Sequence, residues 1–177
     1  MCGLKRRLLY PDFQDFVTKY DLLFISETKL DIHDSISIPN YTFISKPRKQ
    51  KVIRKSGGLG LFVKNEILPF VEEFTTGFEY VLWRKIAKSY TNDDKDILLG
   101  CTYIPPISSP FYNNNEFELF EHEVSLMASR FDLLYMCGDF NGQTAELDDL
   151  SYNDDFLSDM FDISGDAGNF LNQKKVT

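Results

Sequence analysis

The chain has 177 residues, enough for one domain with a sizeable core, and its 43% hydrophobic and 26% charged content is ordinary for a soluble globular protein. Its net charge of −8 excludes a protein that coats nucleic acid indiscriminately, and no apolar run approaches the roughly 18 residues needed to cross a bilayer. The charge is unevenly divided, with a balance of +5 over residues 1–90 and −13 over residues 91–177. Such a division suits a phosphate-facing surface beside a carboxylate-rich site, and equally a plain protein with a solvated acidic tail.

The three cysteines, Cys2, Cys101 and Cys137, lie far apart with no paired spacing. They read as buried thiols of a reducing compartment, not as a disulfide frame or a zinc site. The first ten residues hold too few apolar side chains for a secretory signal, so the expected location is intracellular, cytoplasmic or nuclear, and not secreted. Without such a signal the sequon Asn40-Tyr41-Thr42 is incidental. An aromatic share of 15%, with 16 Phe, predicts a core built largely on rings.

Pro11 and Asp12 suit the first turn of a helix, and Phe13, Phe16, Val17 and Tyr20 follow with the spacing of one apolar helical face. The run Leu22-Leu23-Phe24-Ile25-Ser26 predicts a buried strand that ends at Glu27-Thr28-Lys29. Glu27 is therefore either a carboxylate at an active rim or a solvated strand end. Residues 31–40 read as a loop, and 41–45 as a second strand. The stretch from Lys46 to Lys55 carries Lys46, Arg48, Lys49, Lys51, Arg54 and Lys55, and reads as an exposed loop between two antiparallel strands. It either tracks a phosphate backbone or is simply solvated. Gly57-Gly58 and Gly60 are wrongly spaced for a phosphate-cradling loop and predict close backbone packing where the strand 59–63 begins.

Strands are expected at 67–71, 79–87 and 96–104, with a polar turn over 89–96 and Tyr103 at a strand end before Pro105-Pro106. Residues 107–115 form a Ser/Pro/Asn-rich loop. Residues 116–130 predict a helix with Phe117, Phe120, Val124 and Met127 on one face and Glu118, Glu121 and Glu123 elsewhere. That helix feeds the run Leu133-Leu134-Tyr135-Met136-Cys137, a strand stopping at Gly138-Asp139-Phe140-Asn141-Gly142. Alone, this ending reads more readily as a turn than as a carboxylate and carboxamide delivered to a sheet rim. After Gly142 the chain is acidic and weakly patterned, with a short helix expected near 155–161.

Four segments in order, Leu23-Phe24-Ile25-Ser26-Glu27-Thr28, Ser56-Gly57-Gly58-Leu59-Gly60, Tyr103-Ile104-Pro105-Pro106 and Gly138-Asp139-Phe140-Asn141, resemble the endonuclease/exonuclease/phosphatase superfamily. Cys2-Gly3-Leu4, the Tyr-Ile-Pro-Pro segment and Gly142-Gln143-Thr144 look closer still to the endonuclease domain of non-LTR retrotransposons. The resemblance spans nearly the whole chain. It implies one domain over residues 1–177, an α/β sandwich of two mixed sheets flanked by helices, and Mg²⁺-dependent nicking of DNA, with Mn²⁺ as the alternative ion. It further implies that Glu27 binds the ion and that Asp139 and Asn141 position and activate the attacking water and contact the phosphate. Tyr103 matches a tyrosine that hydrogen-bonds near the scissile phosphate. DNA is the implied partner. No membrane partner is expected, and the residues identify no protein partner.

Three departures go with it. The family's Asn on its first strand falls before Met1, and a second Asp-bearing strand and a final Ser-Asp-His do not occur after Gly142. The only imidazoles, His33 and His122, match neither motif. The expectation is a fragment truncated at both ends, with an incomplete sheet, an open edge and little or no activity. Two other readings stay open: a phosphatase or RNA-trimming enzyme of the same superfamily, and a non-enzymatic nucleic-acid-binding remnant.

Overall fold

The computed structural model describes residues 3–48, 55–91 and 94–141. These form an α/β protein with two β-sheets. A short helix α1 (Leu4–Arg7) and α2 (Pro11–Val17) lead into β1 (Leu22–Ser26), β2 (Tyr41–Lys46) and β3 (Leu59–Lys64). A single 3-10 turn, Leu68–Phe70, precedes β4 (Val71–Phe74) and β5 (Val81–Ile86). The helical turn α3 (Lys88–Thr91), β6 (Ile97–Tyr103), α4 (Glu116–Ala128) and β7 (Leu133–Asp139) complete the described order.

The first sheet is antiparallel in the order β1-β3-β2, and the second is mixed in the order β4-β5-β6-β7. Only β6 and β7 run parallel, and α4 supplies the crossover that parallel neighbours need. Apolar side chains on alternate residues of β3, β5 and β6 meet between the sheets: Leu59, Leu61 and Val63 pack with Leu82, Cys101 and Tyr103. The outer face of the first sheet is covered by Leu4 and Val17 of the N-terminal helices over Phe62. The outer face of the second lies under Met127 and Phe120 of α4, over Val81, Trp83 and Leu98. Burial on both faces explains why β3 reads as a continuous apolar run rather than an alternating one.

Several local expectations are corrected. The run 67–71 is not a strand. Pro69, with its fixed φ and missing N–H, sits inside the 3-10 turn, and pairing with β5 starts only at Val71. The turn expected at 89–96 includes the helical turn α3, and α1 has no counterpart in the sequence reading. On α2, Val17 is buried, but Phe16 and Tyr20 remain on the surface, where their rings meet at 5.2 Å. On α4 the buried positions are Glu116, Glu123 and Met127, and Phe117 lies outward. The indole N–H of Trp83 donates to Glu123 Oε1 at 2.9 Å, which satisfies a polar pair beneath the helix. The expected strands at 22–26, 41–45, 59–63, 79–87, 96–104 and 133–137 all occur, with boundaries shifted by a few residues.

Among the described residues no helix is long and apolar enough to cross a membrane. The helix expected near 155–161 lies outside the described residues.

Candidate active site

One cleft of about 460 Å³ collects Glu27, Tyr103, Asp139 and Asn141, the four residues singled out at strand ends. The topology explains the gathering. Among the described residues β1 and β7 are edge strands of their respective sheets, and Tyr103 of β6 is the register partner of Asp139 on β7. Glu27 directly follows β1. Leu4, Arg7, Phe13 and Phe24 give the cleft a largely apolar wall with one guanidinium, and Ser26 and Pro106 complete its mouth.

Glu27 is held in a backbone conformation unusual for its type, with φ at +53°. The chain can turn there because Thr28 N donates to Gly58 O at 3.2 Å and Lys29 N donates to Gly57 O at 2.9 Å. Gly58 itself sits at φ +85°, and a Cβ on it would lie 2.7 Å from Thr28 Oγ1. The glycine pair therefore acts as a backbone clamp on the Glu27 turn. That agrees with the close packing expected of it and gives it a consequence for the site.

The Glu27 carboxylate accepts a hydrogen bond from the Tyr103 hydroxyl at 2.5 Å, and Lys29 Nζ approaches its other oxygen at 3.8 Å. Burial, then the bond to Glu27 and its charge, push the Tyr103 phenol well above the ordinary tyrosine range. It thus stays protonated at neutral pH and acts as a hydrogen-bond donor. Across the cleft, Asp139 Oδ1 accepts the backbone N–H of Asn141 at 3.0 Å, a short Asx turn that fixes the carboxylate. The Asn141 carboxamide donates to Ile104 O at 2.9 Å, and Ile104 N donates to Asp139 O at 3.0 Å. Phe140 packs edge-on against Phe120 of α4 at 5.7 Å, on the far side of the sheet from the cleft. That anchor separates Asp139 from Asn141 and holds the segment in place. Asn141, like Glu27, has a positive φ, +45°. Asn tolerates that conformation readily, and Lys29 and Asn40, which do not line the cleft, share it, so the unusual backbone within the cleft is that of Glu27.

The basic loop is differently disposed. Lys46 Nζ donates to the carbonyls of Phe78 and Val81 at 2.7 and 2.6 Å, tying β2 to the chain entering β5. The Arg48 guanidinium stacks over the Phe111 ring at 4.4 Å and reaches Ser56 Oγ at 3.3 Å. Lys55 is bonded to Asp31 at 2.6 Å and Asp34 at 2.7 Å, and Lys5 also reaches Asp34. Lys49, Lys51 and Arg54 lie outside the described residues. His33 and His122 are exposed on a loop and on α4, and neither lines the cleft.

Arg7 was missed from the sequence because a four-residue helix leaves no periodic signal. The only hint was the basic run Lys5-Arg6-Arg7. Among the described residues no three His, Cys, Asp or Glu side chains converge as a ready-made metal cage. The cleft nevertheless offers oxygen donors, Glu27 and Asp139, and neither imidazole nor thiolate among the residues that line it. That donor set suits a hard cation such as Mg²⁺, which takes few protein ligands and keeps its waters, and does not suit a soft or borderline ion. No protein-family model matches the chain, and no curated protein matches it.

Proposed function

We propose that the cleft is a Mg²⁺-dependent phosphodiesterase site of the endonuclease/exonuclease/phosphatase type, with DNA as substrate in the manner of a non-LTR retrotransposon endonuclease domain. One observation carries the reading. Glu27, strained and hydrogen-bonded to Tyr103, shares a cleft with an Asp139–Asn141 turn pinned by three hydrogen bonds.

Each side chain has a task that follows from its surroundings. Glu27 would hold the ion, with Lys29 giving up its distant contact at 3.8 Å. Bound there, the cation would withdraw charge from a phosphate oxygen. The Asp139 carboxylate, oriented by the Asn141 N–H, is placed to accept a proton from water. The Tyr103 hydroxyl, kept protonated by burial, would turn its one proton from Glu27 to where negative charge develops. Arg7 adds a permanent cation at the cleft wall. No imidazole lines the cleft among the described residues, and turnover is accordingly expected to be orders of magnitude below that of a complete centre.

The test starts from binding, because holding the ion does not need an imidazole. Titration of the full chain with MgCl₂ in a calorimeter should give a saturable site, weakened about tenfold or more by Glu27→Gln. Slow nicking of supercoiled plasmid in Mg²⁺ should disappear in Asp139→Ala. Absence of saturable binding, or binding indifferent to Glu27→Gln, would refute the assignment. Rapid nicking would refute the low turnover. In the basic loop Lys46, Arg48 and Lys55 are engaged with carbonyls, a ring and two aspartates, so a separate nucleic-acid-binding reading would rest on Lys49, Lys51 and Arg54, which lie outside the described residues.

A further inference from the structure

Cys101 and Cys137, 36 residues apart, are direct register partners on the parallel strands β6 and β7. Their sulfurs lie 3.8 Å apart. Cys101 is fully buried in the core between the sheets, whereas Cys137 is exposed on the edge strand. The strands are pinched together one residue further on. Gly138 has φ at +142°, and a Cβ there would lie 2.0 Å from Thr102 O. Neighbouring strands run about 4.8 Å apart, within the Cα separations that a disulfide spans.

We propose that Cys137 and Cys101 are a peroxide-responsive dithiol, in which Cys137 is the attacking thiol and Cys101 the resolving one. Its substrate is hydrogen peroxide reaching the exposed Cys137 sulfur on β7. In the first step the Cys137 sulfur attacks one peroxide oxygen. An S–O bond forms, the O–O bond breaks, and the leaving oxygen departs as water once protonated. In the second step the Cys101 sulfur attacks that of Cys137. The S–S bond forms, the S–O bond breaks, and the Cys101 thiol proton leaves with the oxygen as a second water. The two thiols lose two electrons and the peroxide gains them.

Closure needs the sulfurs to move from 3.8 Å to about 2.0 Å, a short travel for side chains on adjacent strands. The division of labour follows from access: Cys137 is exposed on β7 and meets the peroxide first, whereas the buried Cys101 sulfur faces that of Cys137. A bridge at this register would staple β6 to β7 two residues before Tyr103 and Asp139, whatever the cleft binds. A bridge that includes the exposed Cys137 is open to reductant, so dithiols reverse it.

The experiment treats the full chain with one equivalent of hydrogen peroxide, then blocks remaining thiols and maps peptides by mass spectrometry. Free thiols should fall from the chain's three to one, with a Cys101–Cys137 bridge that dithiothreitol removes. Cys2→Ser should form the same bridge. Cys137→Ser, at an exposed position where the fold is retained, should form none. Cys101→Ser should accumulate a sulfenic acid on Cys137 that dimedone traps. A bridge involving Cys2, a bridge between chains, or a Cys137 sulfenic acid that persists in the unaltered chain would each overturn the proposal.

Discussion

Tyr103 holds its proton more tightly in the folded chain than in the unfolded one, because burial and Glu27 both disfavour a phenolate there. Tyr80, whose hydroxyl donates to Phe111 O, is pushed up to about 12, chiefly by burial and then by Glu116 and Glu79. A raised folded value gives stability that is fully present below the unfolded tyrosine value of 10.0. That contribution is lost as pH rises from there through the folded value. Stability to urea should therefore fall above about pH 10. Tyr103→Phe should flatten that fall while leaving stability at pH 7 within the range of a lost hydrogen bond, about 1 kcal/mol. An unchanged alkaline slope in the variant would assign the effect to Tyr80 and other tyrosines.

At the scale of elements, α4 shows how a helix is seated by more than its apolar stripe. Phe120 and Met127 pack on the second sheet, but the same face carries Glu123, bonded to Trp83, and Glu116, bonded by the Asn113 carboxamide at 2.8 Å. Glu123→Ala would strand a buried indole N–H beneath the helix, at a cost of about 1–3 kcal/mol. Trp83 is the chain's only tryptophan, so its fluorescence reports both the unfolding midpoint and any local loosening of α4. Equal stability with an unshifted emission would show that water replaces the carboxylate. The face was misread from sequence because Phe117 looked like the natural inward residue. Spacing of three and four from Glu116 through Phe120 and Glu123 to Met127 decided otherwise.

At the scale of the molecule, the two sheets close over their shared core, yet among the described residues β1 and β7 are both edge strands, and the cleft lies at their ends. β7 is half open: Leu134 and Met136 pack under α4, whereas Tyr135 is 57% exposed. A long, exposed, partly apolar edge invites pairing with another chain. Light scattering should show association that grows with concentration, and Tyr135→Lys should suppress it without lowering the unfolding midpoint. Concentration-independent size in the unaltered chain would show that the edge is protected.

The sequence by itself determined the strands, because apolar runs such as Leu22-Leu23-Phe24-Ile25 and Leu59-Gly60-Leu61-Phe62-Val63 must be buried wherever they go. It also marked Glu27, Tyr103, Asp139 and Asn141, since a polar residue ending such a run is visible locally. What it left open is which of these meet. Spacing along the chain says nothing of register between strands. Only the β6–β7 pairing sets Tyr103 beside Asp139 and Cys101 beside Cys137, two cysteines that had looked unrelated. The tertiary structure likewise decided that Lys46, Arg48 and Lys55 bind carbonyls, a ring and aspartates, because a charge selects its partner by proximity after folding, not by composition. The polar ends of strands can be read from a sequence, but a site exists only where the sheets bring those ends together.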